Sequence, residues 1–408
     1  MKRISSSVLG LALVVTFFAS GCEAKKELPY DTFNVPAEPY KIGTDQSNAF
    51  DGYASAAIEC NKLTQKYSNQ ASFRPFERDA IIGQTSSAVT KLITATHKKS
   101  EFVFTPTDPF LPTPYHGGWT MLGRVLAWRI TRAGEREEWA EVARLGVAAV
   151  KFGTDLTGGG ATDAILGHWI VAEARRSIVP FLPQMDSSAL NSLADGIAQA
   201  LESAPPFDQT LANEEANMLA GVQFIQDAYQ EGDYDLLEKA MYKEVREAID
   251  YLKNIDPDER PAYFQGFAAE ARTIVNFTRQ QSSIPTAERK EFKFDTRAVR
   301  PWKRFAKQLL ETIPPLVESN DMFLARTRLL ALTCRATAIA RKTSQAPREF
   351  NFEKGSLTID PYTGRPFVYH AAGREFRIYS VGADGRDDGG DSSLEGKEPD
   401  LLLDPAPL

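Results

Sequence analysis

Residues 50–67, FDGYASAAIECNKLTQKY, decide the fold class. Phe50, Tyr53, Ala57, Cys60, Thr64 and Tyr67 return at steps of three and four, which is one face of an α-helix. A half-buried strand would need alternation at every second position, and no β pattern of any length is found before residue 350.

Working downstream, the chain reads as helix after helix. A second helix is expected over 76–98, followed by a long irregular connection marked by Pro106, Pro109, Pro112 and Pro114. Trp119 to Arg132 reads as a helix with Leu122, Val125 and Leu126 inward and Gly134 as its stop. Glu135 to Phe152 follows, with acidic residues in its first turn and Gly153 just past its end. Ala161 to Phe181 is the most apolar helix and so the central one. Asp186 or Ser187 caps the next. Asp208 opens another, with Leu211, Met218, Leu219, Val222 and Ile225 toward the core. Further helices are expected near 234–254, 258–281, 298–318 and 320–343. Short loops make consecutive helices antiparallel neighbours. The expected fold is therefore mainly α, a multi-helical array of antiparallel helical hairpins over 47–343, solenoid-like or bundle-like. No fixed repeat period runs through it.

Upstream lies a different kind of sequence. Lys2 and Arg3 precede an apolar run from Val8 to Phe18, too short to span a bilayer and of the length of a signal peptide. Ala19-Ser20-Gly21-Cys22 follows. Small residues before a cysteine at this point resemble the lipobox of bacterial lipoproteins. The resemblance implies a signal peptide over 1–21 and acylation of Cys22, whose several chains give stable anchoring. Glu23 rather than Asp after the cysteine implies, by the same resemblance, the outer membrane of a bacterial envelope. Residues 22–46, charged and broken by Pro29, Pro36 and Pro39, read as a tether.

Composition narrows the function classes. The 408 residues hold 47 Lys+Arg against 54 Asp+Glu, a net charge of −7. An acidic chain lacks the basic footprint that nucleic acid requires, so nucleic acid is not an expected partner. Three cysteines make neither a disulfide framework nor a structural zinc site. With Cys22 acylated, Cys60 and Cys334 either pair or lie buried and inert.

Near residue 356 the pattern changes. Asp360-Pro361-Tyr362-Thr363-Gly364 is turn chemistry, and 366–369 and 375–379 read as two short strands around a turn at Ala372-Gly373. Residues 344–383 are thus a junction and β-hairpin, and 384–408 an acidic loop with a disordered tail. Asp384, Asp387, Asp388 and Asp391 lie among glycines that let backbone carbonyls turn inward, as calcium requires. The residues admit two readings, a calcium loop or a solvated acidic turn. The EF-hand pattern fits poorly, because Arg386 stands where its third-position ligand belongs.

Two resemblances bear on this ending. The run Asp360 to Pro366, Tyr369, Ile378 to Gly385 and Gly389-Gly390 resembles the C-terminal hairpin of the major pseudopilins of type II secretion. That resemblance implies a calcium-binding loop, with Asp384 and Asp391 as side-chain ligands and the Val381 carbonyl nearby. It covers only this module, and the long N-terminal pilin helix has no counterpart here. More loosely, Gly159 to Gly167, Ala204-Pro205-Pro206-Phe207, Glu214-Glu215 and the passage from last helix to hairpin resemble uncharacterised exported bacterial lipoproteins. That family implies an architecture without an established activity.

Motifs for catalysis are missing. There is no Gly-x-Ser-x-Gly elbow, His-Glu-x-x-His pair or phosphate loop. Gly158-Gly159-Gly160 before a helix reads as a flexible turn more than as an anion cradle. The expected function is a non-enzymatic binding or scaffold protein with a partner in the envelope, since stacked helical hairpins offer extended grooves. One alternative is a hydrolase whose acidic site gathers Asp163, His168, Glu173 and Glu214 across helices. Another is an accessory of a secretion or pilus system, by analogy of the hairpin.

Overall fold

A computed structural model describes residues 47–67, 72–102, 115–231, 254, 256–290, 313–390 and 400–403. The leader, Cys22, the tether, the proline-rich connection, most of the helices expected near 234–254 and 298–318, and Asp391 lie outside these residues. Among the described residues are ten α-helices and one two-stranded sheet.

The first helix, α1 (Ala49–Lys66), is capped by the Asn48 side chain, which accepts from the Phe50 amide at 3.0 Å. Its face Phe50, Tyr53, Ala57 and Cys60 is buried as the spacing requires. The helix expected over 76–98 is two helices, α2 (Pro75–Gln84) and α3 (Ser86–Thr96), broken at Thr85. The buried Thr85 hydroxyl bonds the Ile81 carbonyl at 2.7 Å, and this local bond competes with helix continuation.

Next come α4 (His116–Glu135), α5 (Trp139–Leu156) and α6 (Ala161–Ile178), whose last turn tightens into a 3-10 segment through Phe181. Gly134 and Gly153 stop neither α4 nor α5 but lie buried inside them. Their task is contact. A Cβ on Gly134 would fall 2.3 Å from the Phe181 ring. One on Gly153 would fall 2.6 Å from the Gly167 carbonyl oxygen of α6, and one on Gly167 2.2 Å from that of Gly153. α5 and α6 therefore meet backbone to backbone. The α4–α5 connection turns through Glu137 in the left-handed region at φ 59.

Helix α7 (Ser187–Glu202) is capped by Asp186, which accepts from the Ala189 amide at 2.8 Å. Helix α8 (Phe207–Glu231) buries Leu211, Met218 and Leu219; the side chains of Val222 and Ile225 are outside the described set. Helix α9 (Arg260–Ser282) packs on α8. Helix α10 (Ile313–Thr343) is about 46 Å long at 1.5 Å per residue. It returns across the body to pack on α7 and α6. One apolar core runs through α1 to α7 and takes Phe323, Leu330, Cys334 and Ala338 from α10. In a solenoid each unit touches only its neighbours, so contact between the last helix and the middle of the chain makes this a bundle.

The other side of α10 carries the C-terminal module. Strands β1 (Val368–Ala372) and β2 (Glu375–Tyr379) pair antiparallel, Val368 opposite Tyr379 and Ala372 opposite Glu375, around Gly373-Arg374. Tyr362, Phe367 and Ile378 pack on Ala325, Leu329, Leu332 and Ala336. The chain end is not wholly a disordered tail. Leu401 bridges Ser380 through two backbone bonds of 2.8 and 3.0 Å, and Leu401 and Leu403 join the apolar cluster under the hairpin. Alternation in the strands is short, and three leucines in a row are enough to bring the chain back.

Candidate functional site

The helix-borne carboxylates and the acidic loop are the two places where chemistry could gather. The structure separates the four residues Asp163, His168, Glu173 and Glu214. Asp163 and Glu214 do meet, at the start of α6. Asp163 Oδ2 accepts from the Gly160 amide at 3.1 Å, and Glu214 Oε2 accepts from the Ala161 amide at 2.8 Å. Two carboxylates thus satisfy amides that a helix start leaves open. Burial pushes the Glu214 carboxyl up, against the pull of the Ala161 amide and Asn217.

The triple glycine is a buried turn rather than a flexible one, because α8 holds it. Gln209 and Asn213 donate to the Gly158 carbonyl at 3.1 and 2.7 Å, and Thr210 to the Thr157 carbonyl at 2.5 Å. Its amides at Gly160 and the following Ala161 already have carboxylate partners, which leaves no cradle there for an anion.

His168 and Glu173 lie elsewhere. His168 Nδ1 is 2.9 Å from Ser319 Oγ, and its ring stacks on Phe323 of α10 at 4.4 Å. Burial drives its pKa down to about 3, so it stays neutral. Glu173 pairs with Arg176 on the surface. In their place the structure brings His116, from the first turn of α4, to Asp163, with Nε2 2.6 Å from Oδ1. His116 follows the proline-rich stretch with no periodic signal, so nothing in the sequence tied it to a residue 47 positions away.

Deeper in the body, Asp155 takes the Tyr53 hydroxyl at 2.7 Å and pairs with Lys151. Cys60 and Cys334 are free and buried, not paired; burial raises their thiols to about 11 and about 12. A surface cleft of about 390 Å³ lies between α3, α5 and α7, lined in part by Ile93, His97, Val147 and Ser192. Its charged residues are already engaged, Arg144 with Glu141 and Asp186 as a helix cap.

At the C-terminal end, Asp360 of the turn motif is buried and ties the module together. Its Oδ1 accepts from the Tyr362 amide at 3.0 Å and its Oδ2 from Ser380 Oγ at 2.8 Å. The acidic loop follows β2. Asp384 accepts from the Arg386 amide at 3.0 Å, a local turn bond. Asp387 accepts from Tyr379 Oη at 2.7 Å and from the Gly389 amide at 2.9 Å, and the Tyr379 hydroxyl holds its carboxyl below the usual range. Gly385, Gly389 and Gly390 have φ of 68, 77 and 74, which only glycine adopts readily.

Asp400 closes the loop from the returning chain end. Its Oδ2 accepts from the Asp388 amide at 3.1 Å and the Gly390 amide at 2.6 Å. The residue is 2% exposed, and its Oδ1 has no hydrogen-bond partner among the described residues. Burial, with the charges of Asp387 and Asp388, pushes its carboxyl up against the pull of the two amides. Among the described residues no three His, Cys, Asp or Glu side chains converge into a preformed metal site. A calcium ion here would therefore need carbonyls as well as Asp384, Asp387 or Asp388, and those of Gly389 and Gly390 already accept from the Arg377 guanidinium at 3.0 and 3.5 Å. Also among the described residues, no helix is long and apolar enough to cross a membrane. Comparison with protein-family models, curated proteins and solved structures finds no match to this chain.

Proposed function

We propose that this is a lipid-anchored protein of the bacterial envelope, held through Cys22 at the outer membrane, that binds partner proteins and carries a C-terminal module locked by calcium. The observation that carries this reading is how the buried carboxylates are used. Asp155, Asp163, Glu214 and Asp360 each sit on amides, hydroxyls or cations of their own fold. Asp400 keeps an oxygen with no hydrogen-bond partner among the described residues, beside two further carboxylates. The first group is spent on architecture, which favours binding over turnover. The second calls for a cation, because a buried charge without compensation is costly.

A melting curve in calcium and in EGTA tests the metal. A higher midpoint in calcium is expected, and equal midpoints would sink the calcium loop. Crosslinking of the anchored protein in its native envelope tests the binding role. Specific envelope partners are expected, and a clean preparation without them counts against a scaffold. Recovery of secretion or pilus components would instead favour the accessory reading drawn from the hairpin. A hydrolase reading rests on one contact, the His116–Asp163 pair at 2.6 Å. A hydrolytic activity abolished by His116→Gln would favour it over the binding role.

A further inference from the structure

Resting on the anchored reading above, we propose that the end of α1, the start of α2 and one face of α4 form a second membrane contact, a patch of cations laid on aromatic rings that settles on anionic phospholipid headgroups. The cation–aromatic stacks found among the described residues all lie there. Lys66 Nζ is 5.0 Å from the centre of the Tyr67 ring, and the guanidinium carbons of Arg74, Arg78 and Arg124 are 4.5, 5.8 and 5.5 Å from those of Phe76, Trp128 and Phe73. Three of the rings form one slab. Phe73 is buried at its centre and meets Tyr67 at 5.6 Å and Trp128 at 5.2 Å. Phe76 stands apart from it. In the first turn of α2 it is 61% exposed, more than any other large apolar side chain among the described residues.

Charge points to the same occupant. The acids nearby are engaged, Glu77 by Arg74 at 3.1 Å, Asp79 by Arg132 at 3.2 Å, and Glu173, the carboxylate acting on Arg124, by Arg176. Lys62 and Lys66, one turn apart on the exposed side of α1, and Arg78 of α2 have no acidic partner among the described residues. The patch is thus positive on a chain whose net charge is −7. Each such charge near an anionic leaflet raises affinity about fivefold. Phe76 needs no shaped pocket in lipid, where a protein partner would have to supply one, and the cations around it keep their heads at the phosphates as the ring enters. Residues 23–46 separate Cys22 from the body, so the anchor alone does not select the face that meets the membrane. The patch selects it, and lays α2 against the lipid.

The test uses the full chain carrying Cys22→Ser, so that no acyl chain contributes, and measures co-sedimentation with vesicles. One set is phosphatidylcholine, the other an equal mixture of phosphatidylcholine and phosphatidylglycerol. The protein should prefer the mixed vesicles and lose that preference in high salt. Added in the same background, Phe76→Ser should weaken binding to them about tenfold, and Lys66→Glu, which exchanges a positive charge for a negative one, about twentyfold at low salt. Phe76→Trp should keep the affinity, and its added indole emission should move to shorter wavelength on the mixed vesicles. Met322→Ser, which removes an exposed apolar side chain from α10, should change nothing. The leader is common to every protein compared, so its own affinity for lipid cancels. Equal binding to both vesicle types overturns the patch, as does unchanged affinity in Phe76→Ser and Lys66→Glu. No vesicle binding also overturns it, and retention of an acidic protein through the same residues would then assign the surface to a protein partner. The anchor is read separately, from the mass of the natural chain: a Cys22 without acyl groups would sink the anchored reading, while the vesicle result would still decide the patch.

Discussion

The sequence offered His168 as a member of an acidic site, and the structure makes it a core histidine instead. It lies between α6 and α10, against Ser319 and Phe323, with burial holding its pKa at about 3. The sign of the linkage follows. The fold refuses a proton that the unfolded chain accepts at about pH 6.5, so stability is full above that value and falls as the pH drops toward the folded pKa. This one group should cost about 1.4 kcal/mol per pH unit below about 6.5. His168→Gln keeps a polar group toward Ser319 and removes the titration. Urea unfolding of both proteins between about pH 7 and pH 4 should show a shallower decline for the variant; parallel declines would refute this account. Asp400 was not legible, because a single carboxylate in a polar, glycine-rich tail looks like any solvated one. Only the three leucines behind it hinted that the chain end returns to an apolar surface.

The helices themselves were readable from apolar spacing, and the start of α7 from its Asp186 cap, but other ends and breaks were not. Gly134 and Gly153 look like stops because glycine is a poor helix former and a good cap. Their actual role, letting α4 and α5 approach other elements, depends on partners distant in sequence that periodicity cannot name. Thr85 breaks a helix whose apolar period runs straight through it. Two substitutions separate the two uses of glycine. Gly167→Ala puts a Cβ 2.2 Å from the Gly153 carbonyl oxygen, and backbone cannot yield as a side chain tip does. It should cost about 3 kcal/mol. Gly83→Ala in α2 meets no atom within 4 Å and should gain about 0.5–1 kcal/mol by limiting the unfolded chain. Urea midpoints at constant slope would check both, and a stable Gly167→Ala protein would rule out the tight α5–α6 crossing.

At the scale of the whole molecule, the mainly α class and the small terminal hairpin were both readable, since each rests on a local period. Whether the helices form an array or a bundle was not, because that choice lies in which distant helix α10 meets. Since α10 contributes to the main core with Phe323, Leu330 and Cys334 and to the hairpin core with Leu329 and Leu332, the two parts should melt together. Tryptophan fluorescence follows the body, and hydrogen exchange at Val368–Ala372 follows the hairpin. The two probes should give one midpoint in urea; two separate midpoints would show that α10 does not couple them.

The same helix sets an order of events for each newly made molecule. A ribosome delivers α1 to α7 well before α10, and until then the apolar surface of α6 and α7 that α10 covers has nothing against it. The emerging chain therefore waits, incompletely packed, for its last long helix. During that interval it presents the apolar-surfaced form that chaperones hold, and it loses that form once Thr343 has arrived.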